Sequence, residues 1–157
     1  MLDLILIRHA HAGPHIEPDF DRKLSSRGEI EAQQAAQVLK YSNHNPGLWL
    51  VSSAIRSHQT ADILLESNSN LLLDRKNDPK WYEASGSLYQ NYLELESCTT
   101  IYLVAHNPSI SYLASYLSNT NIFMEPGNIV HLQWNKLDSW KEITKASASV
   151  NYHFYGK

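Results

Sequence analysis

Leu2-Asp3-Leu4-Ile5-Leu6-Ile7-Arg8-His9-Ala10 is the stretch on which the fold turns. Residues 2 to 7 are leucine or isoleucine except at Asp3, with no alternation of polar and apolar positions. Such a run suits a central strand covered on both faces in a parallel sheet. Arg8 and His9 end it abruptly, and an arginine that directly ends a buried strand is costly without an anionic partner. The run is too short and too interrupted for an export signal or a membrane span, so the cytoplasm is the expected location.

Outward from this strand the pattern alternates. Residues 11 to 24 form a polar loop with Gly13, Pro14 and Pro18. Ser25 or Ser26 then reads as a helix cap, followed by Ala32, Ala35, Ala36 and Leu39 at helical spacing. Asn43 to Gly47 is a turn cluster, and Leu48-Trp49-Leu50-Val51 is a second buried strand. The helix expected after Ser52-Ser53 places Ala54, His58, Ala61 and Leu65 on one face, and Leu71-Leu72-Leu73 reads as a third strand. A helix over residues 85 to 97 and a strand over Thr100 to Ala105 follow, and Pro108 suits the first position of one more helix. Ile129 to Trp134 and Ala148 to Phe154 read as an antiparallel pair at the sheet edge. The implied fold class is α/β, a three-layer α/β/α sandwich with a mostly parallel central sheet and an antiparallel edge.

The bulk numbers narrow the function. A chain of 157 residues fits one domain, taken as 1–157 with no cap or lid insertion, and is long enough to bury a core without disulfides or a structural metal. The formal charge of −3 offers no footprint for phosphate backbones or anionic lipids, so neither nucleic acid nor membrane is an expected partner. Cys98 is the lone cysteine; it has no second thiol for a disulfide or a thiolate metal site.

In open α/β sheets ligands bind beyond the carboxyl ends of the strands. Arg8 and His9 end the first strand, Arg56 lies just past the second, and His106 ends the strand at 100 to 105. A transferring phosphoryl group needs fixed cationic donors around its oxygens and an in-line nucleophile. Arg8 and Arg56 offer guanidinium forks matched to phosphate, and His106 adds an imidazole donor. His9 fits the nucleophile, because a neutral imidazole attacks phosphorus with one nitrogen while the other holds a backbone carbonyl.

Leu6-Ile7-Arg8-His9-Ala10 resembles the RHG/RHA signature of the histidine phosphatase superfamily, whose fold is phosphoglycerate mutase-like. Val51 to Ala61 resembles its S-P-x-x-R-A-x-Q-T motif, Ala105-His106-Asn107-Pro108 its G-H-N-P segment, and Arg22 to Gly28 its R-P-L-T-x-x-G stretch. Four matches in order, each at an expected strand end or helix start, are specific where one triplet is not. The short length and the Arg22 to Gly28 stretch are most similar to SixA-type phosphohistidine phosphatases. Ser53, Lys23 and Ala105 depart from the pattern, in loop positions rather than at catalytic groups.

The resemblance implies a hydrolase that needs neither metal nor other cofactor and carries the phosphoryl group on His9, with Arg22 as a further phosphate contact; the Asn107 backbone amide, at a helix start, is another expected contact. Glu83 lies where ester-cleaving members place a general acid; it helps an alkoxide to leave and is dispensable for an imidazole. The expected substrate is a phosphohistidine in a protein, above a shallow pocket open to water. The alternatives are a small phosphomonoester, or a module that binds phosphorylated partners without turnover. His9-Ala10-His11 also resembles the H-x-H pair of some metallohydrolases, but those are barrels of about 250 residues that need more ligands; His11 is expected at the pocket rim. His15, His44, His131 and His153 are expected to be solvated or on edge strands, and His58 to pack on the apolar face of its helix.

Overall fold

The apolar run forms β1 (Leu2–Arg8), buried at every position except its last. The computed structural model describes residues 1–16 and 18–155. In it β1 joins β2 (Gly47–Ser52), β3 (Leu72–Asp78), β4 (Thr100–Ala105), β5 (Ile129–Trp134) and β6 (Ser149–Phe154) in one six-stranded sheet of order β3-β2-β4-β1-β5-β6. The pairs among β3, β2, β4 and β1 are parallel, and β5 and β6 add antiparallel to the β1 side. The helices are α1 (Ser26–Tyr41), α2 (Ile55–Glu66), the single turn α3 (Lys80–Glu83), α4 (Gly86–Leu93) and α5 (Ser109–Ser118).

Successive side chains of a strand point to opposite faces, and the two faces are filled separately. Leu2, Leu4 and Leu6 join Leu50, Leu103 and Leu132 against Tyr89 and Leu93 of α4 and Ile110, Leu113 and Leu117 of α5. Ile5 and Ile7 join Trp49, Val51, Tyr102 and Val104 against Ala35, Ala36 and Leu39 of α1 and Ala61 and Leu64 of α2. The small side chains of α1 let it lie close to the sheet, where Trp49 stacks on Tyr102 with ring centroids 4.6 Å apart. The result is the three-layer arrangement that the alternating pattern implies.

Four local expectations are corrected. The third strand is the polar segment Leu72–Asp78, not the leucine triplet; Leu71 closes a 3-10 turn (Ser69–Leu71) and is buried, whereas Leu73 is exposed. As the outer strand it has one neighbour and little to bury. The helix expected over 85 to 97 stops at Leu93, because Leu95 faces solvent and nothing retains a further turn. The buried face of α2 is Arg56, Ser57, Thr60, Ala61 and Leu64 rather than that of His58 and Leu65. Pro108 sits one residue before α5 instead of in its first position.

The loop of residues 11 to 24 is fixed at its ends. Ala12 bridges to Leu24, Gly13 N–H donates to the Lys23 carbonyl at 2.9 Å, and Ser25 caps α1 by accepting from Gly28 N–H at 3.0 Å. A Cβ on Gly28 would lie 2.0 Å from the His11 carbonyl oxygen, so helix and loop touch with no room for a methyl group. Gly28→Ala should therefore destabilise the protein by about 1–3 kcal/mol, read as a lowered midpoint in denaturant, and should loosen the loop that walls the carboxyl end of the sheet.

Candidate active site

The register of the two central strands creates the site. Arg8 of β1 pairs with Ala105 of β4, so the residues that follow, His9 and His106, emerge side by side with ring centroids 4.9 Å apart. With them a cavity of about 570 Å³ is lined by Arg8, Arg22, Arg56, Asp19, Tyr82 and Asn107, and His11 lines it too. Arg56 enters from the first turn of α2, next along the sheet from β4.

His9 is held in one tautomer. Its Nδ1 lies 2.8 Å from the Ala10 carbonyl oxygen, and a carbonyl only accepts, so Nδ1 carries the proton and Nε2 presents a lone pair. Arg56 Nε–H donates to that Nε2 at 3.2 Å. Burial, reinforced by neighbouring His106 and the arginines, drives the His9 pKa well below the ordinary histidine value, which keeps the ring neutral. Its backbone is pinned too, with Ala10 N–H donating to Thr60 Oγ1 on α2 at 3.1 Å.

His106 is arranged the other way round. Its Nε2 faces Ser52 Oγ at 2.7 Å and Ser57 Oγ at 3.3 Å. Ser52 Oγ also accepts from Ala54 N–H at 3.3 Å, so its hydroxyl hydrogen is free for Nε2. The proton of a neutral His106 then sits on Nδ1, which is buried without a partner among the described residues, as is Arg8 Nε. An orphaned buried donor costs free energy that an incoming acceptor restores. Arg8 is positioned by donation from one terminal nitrogen to the Met124 carbonyl at 2.8 Å.

Asp19, in the 3-10 turn Asp19–Asp21 of the loop, is an acidic side chain in the cavity that no motif or spacing singles out. Its carboxylate accepts from Arg22 at 2.9 Å, Arg56 at 2.9 Å and the Tyr82 hydroxyl at 2.7 Å, and its carbonyl accepts from Arg56 at 2.5 Å. The Tyr82 hydroxyl, followed by the two guanidiniums, holds the carboxyl far below the usual carboxylate range.

The remaining candidates separate. Arg22 lines the cavity and spends its other nitrogens on the Gly13 carbonyl at 3.1 and 2.7 Å. The Asn107 side chain is taken up structurally, donating to the Met124 carbonyl at 2.8 Å and accepting from Ser111 at 2.5 Å. Glu83, the expected general acid, is exposed and does not line the cavity. Neighbours in a helix diverge by about 100°, and in α3 it is Tyr82 that turns inward. His11 bonds Ser25 Oγ through Nδ1 at 2.7 Å. The expectation of solvated histidines fails at the opposite end of the sheet, where buried His131 contacts Asp3 at 2.7 Å and His44 contacts the Tyr152 hydroxyl at 2.7 Å. His58 packs beside Arg75 on the half-exposed side of α2.

Asp19, Tyr82, Ser52 and Ser57 are thus the residues that sequence reasoning passed over. The serines had a visible signal, since both flank the start of the Arg56 helix. Tyr82 and Asp19 had none at the level of spacing.

The sequence profile of the histidine phosphatase superfamily, branch 1, matches residues 4–94. An uncharacterized chloroplastic protein of Arabidopsis thaliana is 30% identical over 171 residues, spanning 98% of this chain and 75% of that protein. Among solved structures, a SixA protein of Nakamurella multipartitia superposes with a TM-score of 0.84 at 19% identity, covering 99% of this chain and 96% of that one. The protein histidine phosphatase SixA complexed with tungstate gives 0.83 at 19% identity, covering 99% and 97%. No helix among the described residues is long and apolar enough to cross a membrane.

Burial and the Arg56 charge push the His106 pKa down to about 3, against about 6.5 in an unfolded chain. Between those values the unfolded chain binds a proton that the folded one refuses, so this stability is present above pH 6.5 and lost as pH falls towards 3. In NMR titration, His106 should show no protonation step between neutral pH and the acid limit of the fold. The loss of stability on acidification should be shallower in His106→Gln.

Proposed function

Because this chain belongs to the histidine phosphatase superfamily, we propose that it is a metal-independent phosphatase that carries the phosphoryl group on His9 Nε2 and takes phosphohistidine in a protein as its substrate. The observation that carries this reading is the fixed tautomer of His9, whose Nδ1 is bound to the Ala10 carbonyl and whose Nε2 lone pair lies beside Arg56. A neutral imidazole with an oriented lone pair is an activated nucleophile.

In the first half-reaction the Arg56 Nε–H bond to Nε2 gives way to the phosphoryl group, the freed lone pair attacks phosphorus, and the bond from phosphorus to the leaving group breaks. The equatorial oxygens are received by Arg8, Arg56, the Nδ1–H of His106 and Arg22, donors fixed before the charge arrives. In the second, water attacks phosphorus in line with the P–N bond, and the electron pair returns to Nε2. Three guanidiniums facing one carboxylate leave the cavity at +2, which matches a phosphoryl dianion. The tungstate in the SixA structure is a tetrahedral oxyanion of the same shape and supports an anion site in this fold.

The preference for phosphohistidine rests on two carboxyl groups, neither of which supplies a proton among the described residues. Asp19 is held ionised and Glu83 lies outside, so an alkoxide would depart without a strong proton donor, whereas a protonated imidazole needs none. A small phosphomonoester with a good leaving group is the second reading, favoured by a cavity that holds more than a phosphoryl group.

The wild-type protein should form an acid-labile phosphoenzyme and hydrolyse phosphohistidine peptide with inhibition by vanadate and none by EDTA. His9→Ala should abolish both the phosphoenzyme and turnover, and Arg56→Ala should lower kcat by about 10²- to 10³-fold. Turnover in His9→Ala at the wild-type rate, or phosphopeptide binding without turnover in the wild type, would end the reading. Glu83→Gln should leave ester and phosphohistidine turnover as they are in the wild type, measured side by side.

A further inference from the structure

Asp19 lines the same cavity as His9 and is joined to it through Arg56. Arg56 donates to His9 Nε2 through Nε at 3.2 Å and to Asp19 Oδ2 through a terminal nitrogen at 2.9 Å. One guanidinium thus links nucleophile and carboxylate within the cavity. In-line displacement puts the departing atom opposite Nε2, and a leaving group that belongs to a protein must project into solvent. The Asp19 side chain is 43% exposed, whereas those of Arg56 and Arg22 are 7% and 16% exposed. An aromatic wall stands beside it. Phe20 meets Tyr82 edge-on with centroids 5.0 Å apart, and Tyr82 meets His106 edge-on at 5.2 Å.

We propose that Asp19 is a catalytic residue that selects an imidazolium leaving group, its carboxylate accepting the ring N–H of the substrate's phosphorylated histidine while the phosphoryl group passes to His9. The inference rests on the phosphohistidine phosphatase reading and assigns the residue that makes the preference. As His9 Nε2 forms its bond to phosphorus, the substrate's P–N bond breaks and its electron pair returns to that ring nitrogen. The other ring nitrogen keeps its proton, so the histidine leaves neutral and Asp19 neither gains nor loses a proton. Without that ring proton the leaving group would be an imidazolate, a far poorer one. A carboxylate next to the ring N–H favours the protonated form and forms a charge-assisted hydrogen bond with it.

The groups around Asp19 suit this task. Arg22 from its own loop and Arg56 from α2 hold it as an anion, and the Tyr82 hydroxyl fixes its direction. An alkyl phosphate presents no N–H at this point and meets only a negative charge. Asp19 is therefore an attraction for one substrate class and a repulsion for the other, which is how specificity is built most economically.

The test compares kcat/KM for a phosphohistidine peptide and for p-nitrophenyl phosphate in the wild type, Asp19→Asn and Asp19→Glu, with thermal melting to establish that each variant is folded. Asp19→Asn should lower the ratio of phosphohistidine to ester turnover by about 10- to 100-fold, the size of a charge-assisted hydrogen bond, and Asp19→Glu should restore part of it. An unchanged ratio in folded Asp19→Asn overturns the inference and leaves the phosphatase reading standing. Equal losses in Asn and Glu variants also overturn it, since loop geometry rather than charge would then be responsible. Ester hydrolysis without any phosphohistidine turnover in the wild type overturns both the inference and the phosphohistidine reading. A measurement on the wild type alone is independent of variant folding. Under mildly acidic conditions imidazolium should strengthen vanadate inhibition beyond what sodium chloride does, and an absence of that synergy counts against Asp19 as its receptor.

Discussion

The parallel pairing of β1 with β4 is the constraint on which the site depends. Hydrogen bonds along this ladder set Arg8 level with Ala105, and His9 N–H continues it by donating to the Ala105 carbonyl at 3.1 Å. The two imidazoles therefore have fixed origins on adjacent strands, both buried on two faces by apolar side chains. A slip of one residue would send the leucines of β1 to the opposite helix layer and carry His9 away from His106. Core packing and active-site geometry are thus one specification, and the dense leucine and isoleucine sequence of β1 serves both.

On this base the charges balance by position. Arg56 is buried, yet its nitrogens find His9 Nε2 and both the carbonyl and the carboxylate of Asp19. Arg8 and His106 each keep one buried nitrogen without a partner among the described residues. Those two buried nitrogens are the donors that an incoming anion would satisfy outright. Preorganisation of this kind costs folding stability and spares reorganisation when charge arrives.

Hydrophobic runs and the residues that interrupt them are local signals, so β1, β2 and β4 and the basic residues that end or follow them are legible in the sequence. Less is legible where the outcome depends on neighbours. Leu71-Leu72-Leu73 looks like a core strand until its place at the sheet margin is known. Glu83 and Tyr82 are adjacent in sequence, and only the orientation of one helical turn decides which of them faces the cavity. Asp19 lies in a loop whose path is set by contacts to Gly13, Arg22 and α2, and no periodicity marks it. His131 reads as a solvated or edge-strand residue, but β6 covers β5, and Asp3 on β1 gives the ring a buried partner. Partners of buried polar groups are a tertiary property, and a lone histidine in a strand does not name its own.

The margin strand β3 has a further consequence. Its outer rim presents unpaired backbone groups, a template on which another chain could add a strand. Here Asp74, Arg75 and Lys76 occupy the middle of the strand, with Arg75 tethered to Asp62 at 2.6 Å and Lys76 to Glu96 at 2.9 Å. An approaching strand would have to strip water from these charges and break their pairs. The polar character that hid β3 from a search for apolar runs is thus also a guard against fibrous self-association, and solubility and recognisability as a strand are traded against each other at this one edge.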